Sequence, residues 1–155
     1  MSLVRTGEKG FTLLEIITVF LLIAIVSVVV ISRSVSTSEV NLASQVEVIK
    51  SHIRYAQARA MNTNKVWGVS LSSGSYMVFI QDGGKQNKVV LGQDAATISL
   101  PSGMTVSAGE VSFDQWGQPY NNDTATGTSS TINITVNYSG QSSSFSILQN
   151  TGFIP

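Results

Sequence analysis

Phe11 to Ile31 reads FTLLEIITVFLLIAIVSVVVI, a run of 21 residues whose only charge is Glu15. As a helix it would span about 32 Å at ~1.5 Å per residue, matching a hydrocarbon core of roughly 30 Å. A helix that is apolar on every face has too little interior to hide in within so small a chain. The pattern therefore predicts a membrane-spanning segment. Further on, Leu42, Val46, Ile49, Ile53, Ala56 and Ala60 recur at three- and four-residue steps, while Glu39, Asn41, Glu47, Lys50, Ser51, Arg54 and Gln57 occupy the opposite positions. That is one apolar stripe of an amphipathic helix. Asn62-Thr63-Asn64 ends it, since Asn tolerates the left-handed conformation of a helix C-terminus. One continuous rod from about Phe11 to Met61 would be roughly 75 Å long.

From Lys65 the pattern changes to short strands. Lys65 to Leu71 and Tyr76 to Gln81 flank Ser72-Ser73-Gly74-Ser75, a hairpin signal, and Asp82-Gly83-Gly84-Lys85 turns the chain toward a strand at Lys88 to Leu91. Ile98 to Leu100, Met104 to Val106 and Val111 to Phe113 are shorter candidates. Asn121 to Ser130 is a polar loop, and Asn133 to Tyr138 with Ser143 to Leu148 alternate with period two as a terminal hairpin. The expected fold is α+β: a long N-terminal helix, membrane-spanning in its first half and amphipathic in its second, packed on one antiparallel β domain. Its parts are a leader over 1–10, a spanning helix over 11–31, an amphipathic continuation over 32–62 and a β-rich head over 63–155.

Composition sharpens this picture. The 155 residues include 9 Lys+Arg, 9 Asp+Glu, one His and no Cys. Zero net charge gives no long-range field to hold nucleic acid, and zero Cys excludes disulfides, thiolate metal sites and a cysteine nucleophile. Ser, Thr, Asn and Gln total 54 against 18 charged residues, a surface suited to a domain outside the cytoplasm. His52 flanks the stripe with no second His, no Cys and no carboxylate in register, so it carries no metal or general-base role. Trp67, Tyr76, Trp116 and Tyr120 are candidates for exposed recognition, although aromatics in short strands are usually core. No Ser/His/Asp or paired-carboxylate constellation stands out, so no catalytic residue is expected.

Arg5 and Lys9 precede the apolar run, which keeps the N-terminus cytoplasmic and sends the rest of the chain across the membrane. A cleaved secretory signal is the competing reading, with Ser34-Val35-Ser36 as its small-x-small site. Against it, Ile16 to Ile31 is longer than the usual ~7–15-residue apolar region, and Glu15 serves no purpose in such a signal. A carboxylate in a spanning segment marks a function with a partner by default, or else sits in the first helical turn where the dipole tolerates it.

Lys9-Gly10-Phe11-Thr12-Leu13-Leu14-Glu15, followed by an apolar helix, resembles the type IV prepilin signal shared by pilins and type II secretion pseudopilins. The resemblance implies cleavage between Gly10 and Phe11 by a membrane-embedded prepilin peptidase, N-methylation of Phe11, and a role for Glu15 as assembly contact with the N-terminal ammonium of a neighbouring subunit. A scissile Gly10 is physically sensible, because a residue without Cβ lets the backbone lie extended in a protease cleft.

Ile53 to Asn62, Ser112 to Pro119, and Gly152-Phe153-Ile154 further resemble the helix end, late strand-turn and final strand of H-type minor pseudopilins and FimT-like minor pilins. Two departures matter. The stretch Asn121 to Gly127, which corresponds to a calcium loop in the major pseudopilin, offers only Asp123, poor provision for an ion wanting six to eight oxygens. Beyond Gln86 the only cation is Lys88, whereas DNA binding by counterion release needs several. The resemblance thus implies a non-enzymatic minor pseudopilin of a type II protein secretion system, held in the inner membrane by one span with its head in the periplasm and assembled into a short filament. Its implied partners are the prepilin peptidase, other pilin or pseudopilin subunits and the inner membrane, with no cofactor, metal or nucleic acid. The alternatives are a minor pilin of a type IV pilus, on the same features, and a signal-anchored periplasmic binding domain acting as a monomer.

Overall fold

The computed structural model describes residues 11–32 and 37–155, with side chains described from Phe11 to Ser27 and from Ser38 onward. The expected leader with Gly10, and the join at 33–36 needed for a single rod, lie outside the described residues. The chain divides into two compact units, one ending at Ser36 and the other beginning at Thr37.

The first unit contains helix α1 (Leu13–Ser32), whose backbone stays helical through the β-branched stretch Val28 to Ile31. Thr12 caps it. Its carbonyl accepts from Glu15 N (3.1 Å) and Ile16 N (3.2 Å), and its Oγ1 also accepts from Glu15 N at 3.3 Å. Within the helix, Thr18 Oγ1 donates to Leu14 O (2.8 Å) and Ser27 Oγ to Ile23 O (2.7 Å). These hydroxyls satisfy themselves one turn back, which hides their polarity from an apolar surrounding. Among the described residues no helix is long and apolar enough to cross a membrane.

The second unit begins with helix α2 (Thr37–Thr63). The stripe falls where the periodicity put it: Leu42, Val46, Ile49, Ile53, Ala56 and Ala60 are all buried. Asn64 takes φ +54° and donates to Ala60 O at 3.1 Å, the left-handed ending expected of that Asn. Asn62 Nδ2 and Thr63 Oγ1 donate one turn back to the carbonyls of Ala58 (2.7 Å) and Arg59 (2.6 Å), so these polar side chains find acceptors within the last turns of the helix.

Beneath α2 lies the expected antiparallel β domain, built as two sheets. The first has the order β3 (Lys85–Lys88), β2 (Ser75–Gln81), β1 (Val66–Ser72), β6 (Gly109–Phe113), β7 (Pro119–Tyr120), with β4 (Thr97–Ser99) sharing an edge of β2 with β3. The second is β5 (Met104–Val106), β8 (Ile132–Tyr138), β9 (Gln141–Ile147). The α2 stripe packs on both, against Trp67, Val69, Tyr76, Val78 and Val111 from the first and Val106, Ile134, Val136, Phe145 and Ile147 from the second. The smallness of Ala56 and Ala60 brings this end of the helix close to the strands.

Three strand expectations shift. Lys88 to Leu91 is not a strand, because β3 forms on the polar residues before it. Val90 then plugs the core while Val89 and Leu91 stay exposed. The terminal hairpin starts earlier, at Gln141, across Ser139 (φ +48°) and Gly140 (φ +79°), the two positive-φ residues of a type I′ turn. The two-residue β7 carried no periodic signal at all. In the middle of β1, Gly68 lies under the Phe79 ring of β2. A Cβ there would sit 2.5 Å from Phe79 Cζ and 2.4 Å from Val111 O, so only glycine fits. Lys85 stacks over the Phe79 ring, 4.5 Å from its centroid, and pairs with Glu110.

Candidate functional site

Phe11 and Glu15 open the first unit. Phe11 is 80% exposed, and Glu15 stands on the first helical turn with its side chain in the open. Glu15 is the third residue after the Thr12 cap, so Thr12-Leu13-Leu14-Glu15 has the S/T-x-x-E pattern of a capping box. The first turn is one of the two settings the sequence leaves open for Glu15, and Thr12 is the local signal that marks it. Beside it runs a shallow, almost wholly apolar concavity of about 220 Å³ lined by Phe11, Glu15, Ile16, Val19 and Phe20. Chemically this is one carboxylate at the rim of a greasy groove.

In the second unit, the three segments singled out in the sequence meet. Gln57 on α2 donates from Nε2 to Gly117 O (3.0 Å) and Thr151 O (3.2 Å), tying the β6–β7 turn and the C-terminal segment to the helix. Arg54, one turn earlier, donates to Ile154 O at 3.1 Å. The junction is built on two glycines in the left-handed region, Gly117 (φ +79°) and Gly152 (φ +61°). In the β6–β7 turn Asp114 Oδ1 accepts from Trp116 N and Gln118 N, each at 2.9 Å, which aims Trp116 outward, 72% exposed. These contacts join segments that lie far apart in the sequence, at separations of 60, 94 and 100 residues.

The remaining candidates resolve as structure. Trp67 and Tyr76, considered as exposed aromatics, are buried because their strands face α2, and Tyr120 is half-buried. Trp67 donates to Thr63 Oγ1 at 2.8 Å, with Arg59 over its ring and Tyr55 against its edge. Asn121 to Gly127 is held by an amide. Asn122 Oδ1 accepts from Thr124 N at 3.0 Å, and Asn122 Nδ2 donates to Thr126 O at 2.9 Å. Among the described residues no group of three or more His, Cys, Asp or Glu is placed to hold a metal ion.

His52 is buried between α2 and β2, with Nδ1 2.7 Å from Tyr76 Oη. Burial pushes the Tyr76 phenol up to about 12, so it stays protonated in its hydrogen bond with the imidazole. Burial also lowers the His52 pKa. The folded protein therefore resists a proton that the unfolded chain accepts near pH ~6.5. The stability this provides is full above that pH and is lost as pH falls through the lowered folded value. His52→Gln keeps a hydrogen-bonding group without a titration, so melting temperature followed from about pH 8 to 5 should fall more steeply for the wild type than for the variant. Parallel curves would show that His52 does not titrate in this way.

The fold has known relatives. The minor pseudopilin EpsH of the type 2 secretion system of Vibrio cholerae superposes with a TM-score of 0.57 at 11% identity, over 74% of this chain and 94% of that one. The type IV minor pilin FimU of Pseudomonas aeruginosa gives 0.51 at 13% identity, over 74% of this chain and 86% of FimU. At such identities the likeness is one of fold. No curated protein matches the sequence. The family described as type II transport protein GspH does match, over residues 45–151, a range that begins within α2 and takes in Gln57, Gly117 and the last strand of the head. Since that range covers more than half of the molecule, the chain belongs to the GspH family of type II transport proteins.

Proposed function

We propose that the protein is a minor pseudopilin of a type II protein secretion system, a non-enzymatic subunit of a short periplasmic filament. The observation that carries this reading is the family match over 45–151, joined to a prepilin-like Lys9–Glu15 that lies outside the matched range. A prepilin peptidase cuts between Gly10 and Phe11 and Phe11 is N-methylated. Residues 11–31 hold the subunit in the inner membrane and later form filament core, with 32–62 continuing as the amphipathic helix and 63–155 as the periplasmic head. Glu15 then neutralises the terminal ammonium of a neighbouring pilin or pseudopilin subunit, a pairing that two isolated charges in an apolar core require. The apolar groove beside Glu15 suits a neighbour's helix.

A second reading, a minor pilin of a type IV pilus, is favoured by the FimU likeness. Deleting the gene separates them. The secretion reading expects exported type II substrates to accumulate in the periplasm while pili remain. Lost pili with unimpaired secretion would overturn it in favour of the pilus.

A further inference from the structure

Every strand at the border of the two sheets except one is short or guarded. β4 and β5 have 3 residues each, β7 has 2, and β3 has 4 with a lysine at either end. Brevity and lysine are the usual means of keeping a sheet edge from pairing with another chain. β9 has neither. It is 7 residues long, QSSSFSI, without charge, proline or bulge, and from Thr124 to Pro155 the chain contains no Asp, Glu, Lys or Arg.

The direction of its backbone groups follows from the hydrogen bonds. Ser107 N donates to Thr135 O at 2.9 Å, so the main chain of Thr135 faces β5 and that of Ile134 and Val136 faces β9. These meet Phe145 and Ser143, which leaves Ser142, Ser144 and Ser146 pointing their N–H and C=O groups away from the sheet. Leu148, next in the same phase, confirms the direction by donating to Phe153 O at 2.9 Å. The free edge therefore runs from Ser142 to Ser146. The side chains of these serines are already engaged across the sheet, with Asn137 (2.6 Å), Thr135 (2.9 Å) and Asn133 (2.8 Å), which leaves the backbone as the feature turned outward.

We propose that β9 is a strand-pairing edge and that its occupant is β9 of a second copy, antiparallel about a two-fold axis at Ser144. The edge is self-complementary in that register. Ser144 meets Ser144, Ser142 meets Ser146, and all three outward residues exchange hydrogen bonds with no like charges opposed. The result is a six-stranded sheet across two heads. This pairing does not depend on the secretion reading.

The chain has no cysteine, so the full-length protein in detergent micelles can be probed with single ones. A hydrogen-bonded antiparallel pair holds its Cα atoms about 5.5 Å apart, within the ~4.4–6.8 Å a disulfide needs. Ser144→Cys should cross-link under copper–phenanthroline at least tenfold faster than Asn87→Cys on the lysine-guarded β3. In the Ser144→Cys background, Ser142→Lys with Ser146→Lys opposes like charges and should abolish the cross-link, whereas Ser142→Lys with Ser146→Glu should restore it. Cross-linking no faster than at Asn87, or equal behaviour of the two charge pairs, overturns the proposal.

Discussion

Glu15→Gln is expected to leave leader cleavage and head folding intact and to remove the subunit from the filament. The substitution separates two roles that Glu15→Ala would merge. As the third residue after the Thr12 cap, Glu15 fits a capping box, and Gln serves that position as well as Glu does. As the proposed partner of a neighbour's terminal ammonium it must be ionised, and Gln leaves that cation buried without compensation. Breaking one side of a buried ion pair costs about 3–5 kcal/mol, or roughly two to three and a half orders of magnitude in incorporation at ~1.4 kcal/mol per tenfold. Glu15→Ala should assemble as poorly. The readout is cross-linking to, or co-sedimentation with, the other pseudopilins after shearing. Gln restoring wild-type incorporation would assign Glu15 to helix capping and sink the ion-pair role.

The second large effect concerns the junction that closes the head. Gly152→Ala should lower the stability of the second unit by about 3 kcal/mol, from ~1–2 kcal/mol for a left-handed residue with a Cβ and ~1–3 kcal/mol for overpacking. The added Cβ would sit 2.3 Å from Gly117 O and 2.3 Å from Gln57 Nε2, and the backbone carbonyl cannot swing aside as a long side chain can. For a domain of this size the melting temperature should drop by roughly 10 °C. Gly140→Ala is the control: it shares a positive φ (+79°) but has nothing within 4 Å, so only the conformational cost of ~1 kcal/mol applies. Equal losses at the two sites would mean that the Gln57–Gly117–Gly152 contact contributes nothing.

Which features the sequence disclosed depends on whether they are local. The α2 stripe was legible because a 3.6-residue period needs only neighbours in the chain, and Asn64 because its cap is local too. The hairpins at Ser73-Gly74 and Ser139-Gly140 were legible for the same reason. The splitting of the strands into two sheets was not, since what sends β5 to β8 rather than to the first sheet is pairing over more than twenty residues of intervening chain. The Lys88 to Leu91 stretch misled because apolar residues such as Val89, Val90 and Leu91 suit a strand and a core plug alike. At the site, Phe11 and Glu15 were found by motif, and Thr12 was missed although its T-x-x-E spacing was there to be read. The contact of Gln57 with Gly117 and Thr151 joins residues 60 and 94 apart, which no periodicity reports.

As a pseudopilin, this GspH-family chain would be processed before it is assembled. Intact mass of the protein purified from membranes tests it most directly. A processed pseudopilin begins at Phe11, lacks residues 1–10 and carries one added methyl group on its N-terminus. An unprocessed chain beginning at Met1, or one cut near Ser36, would contradict it.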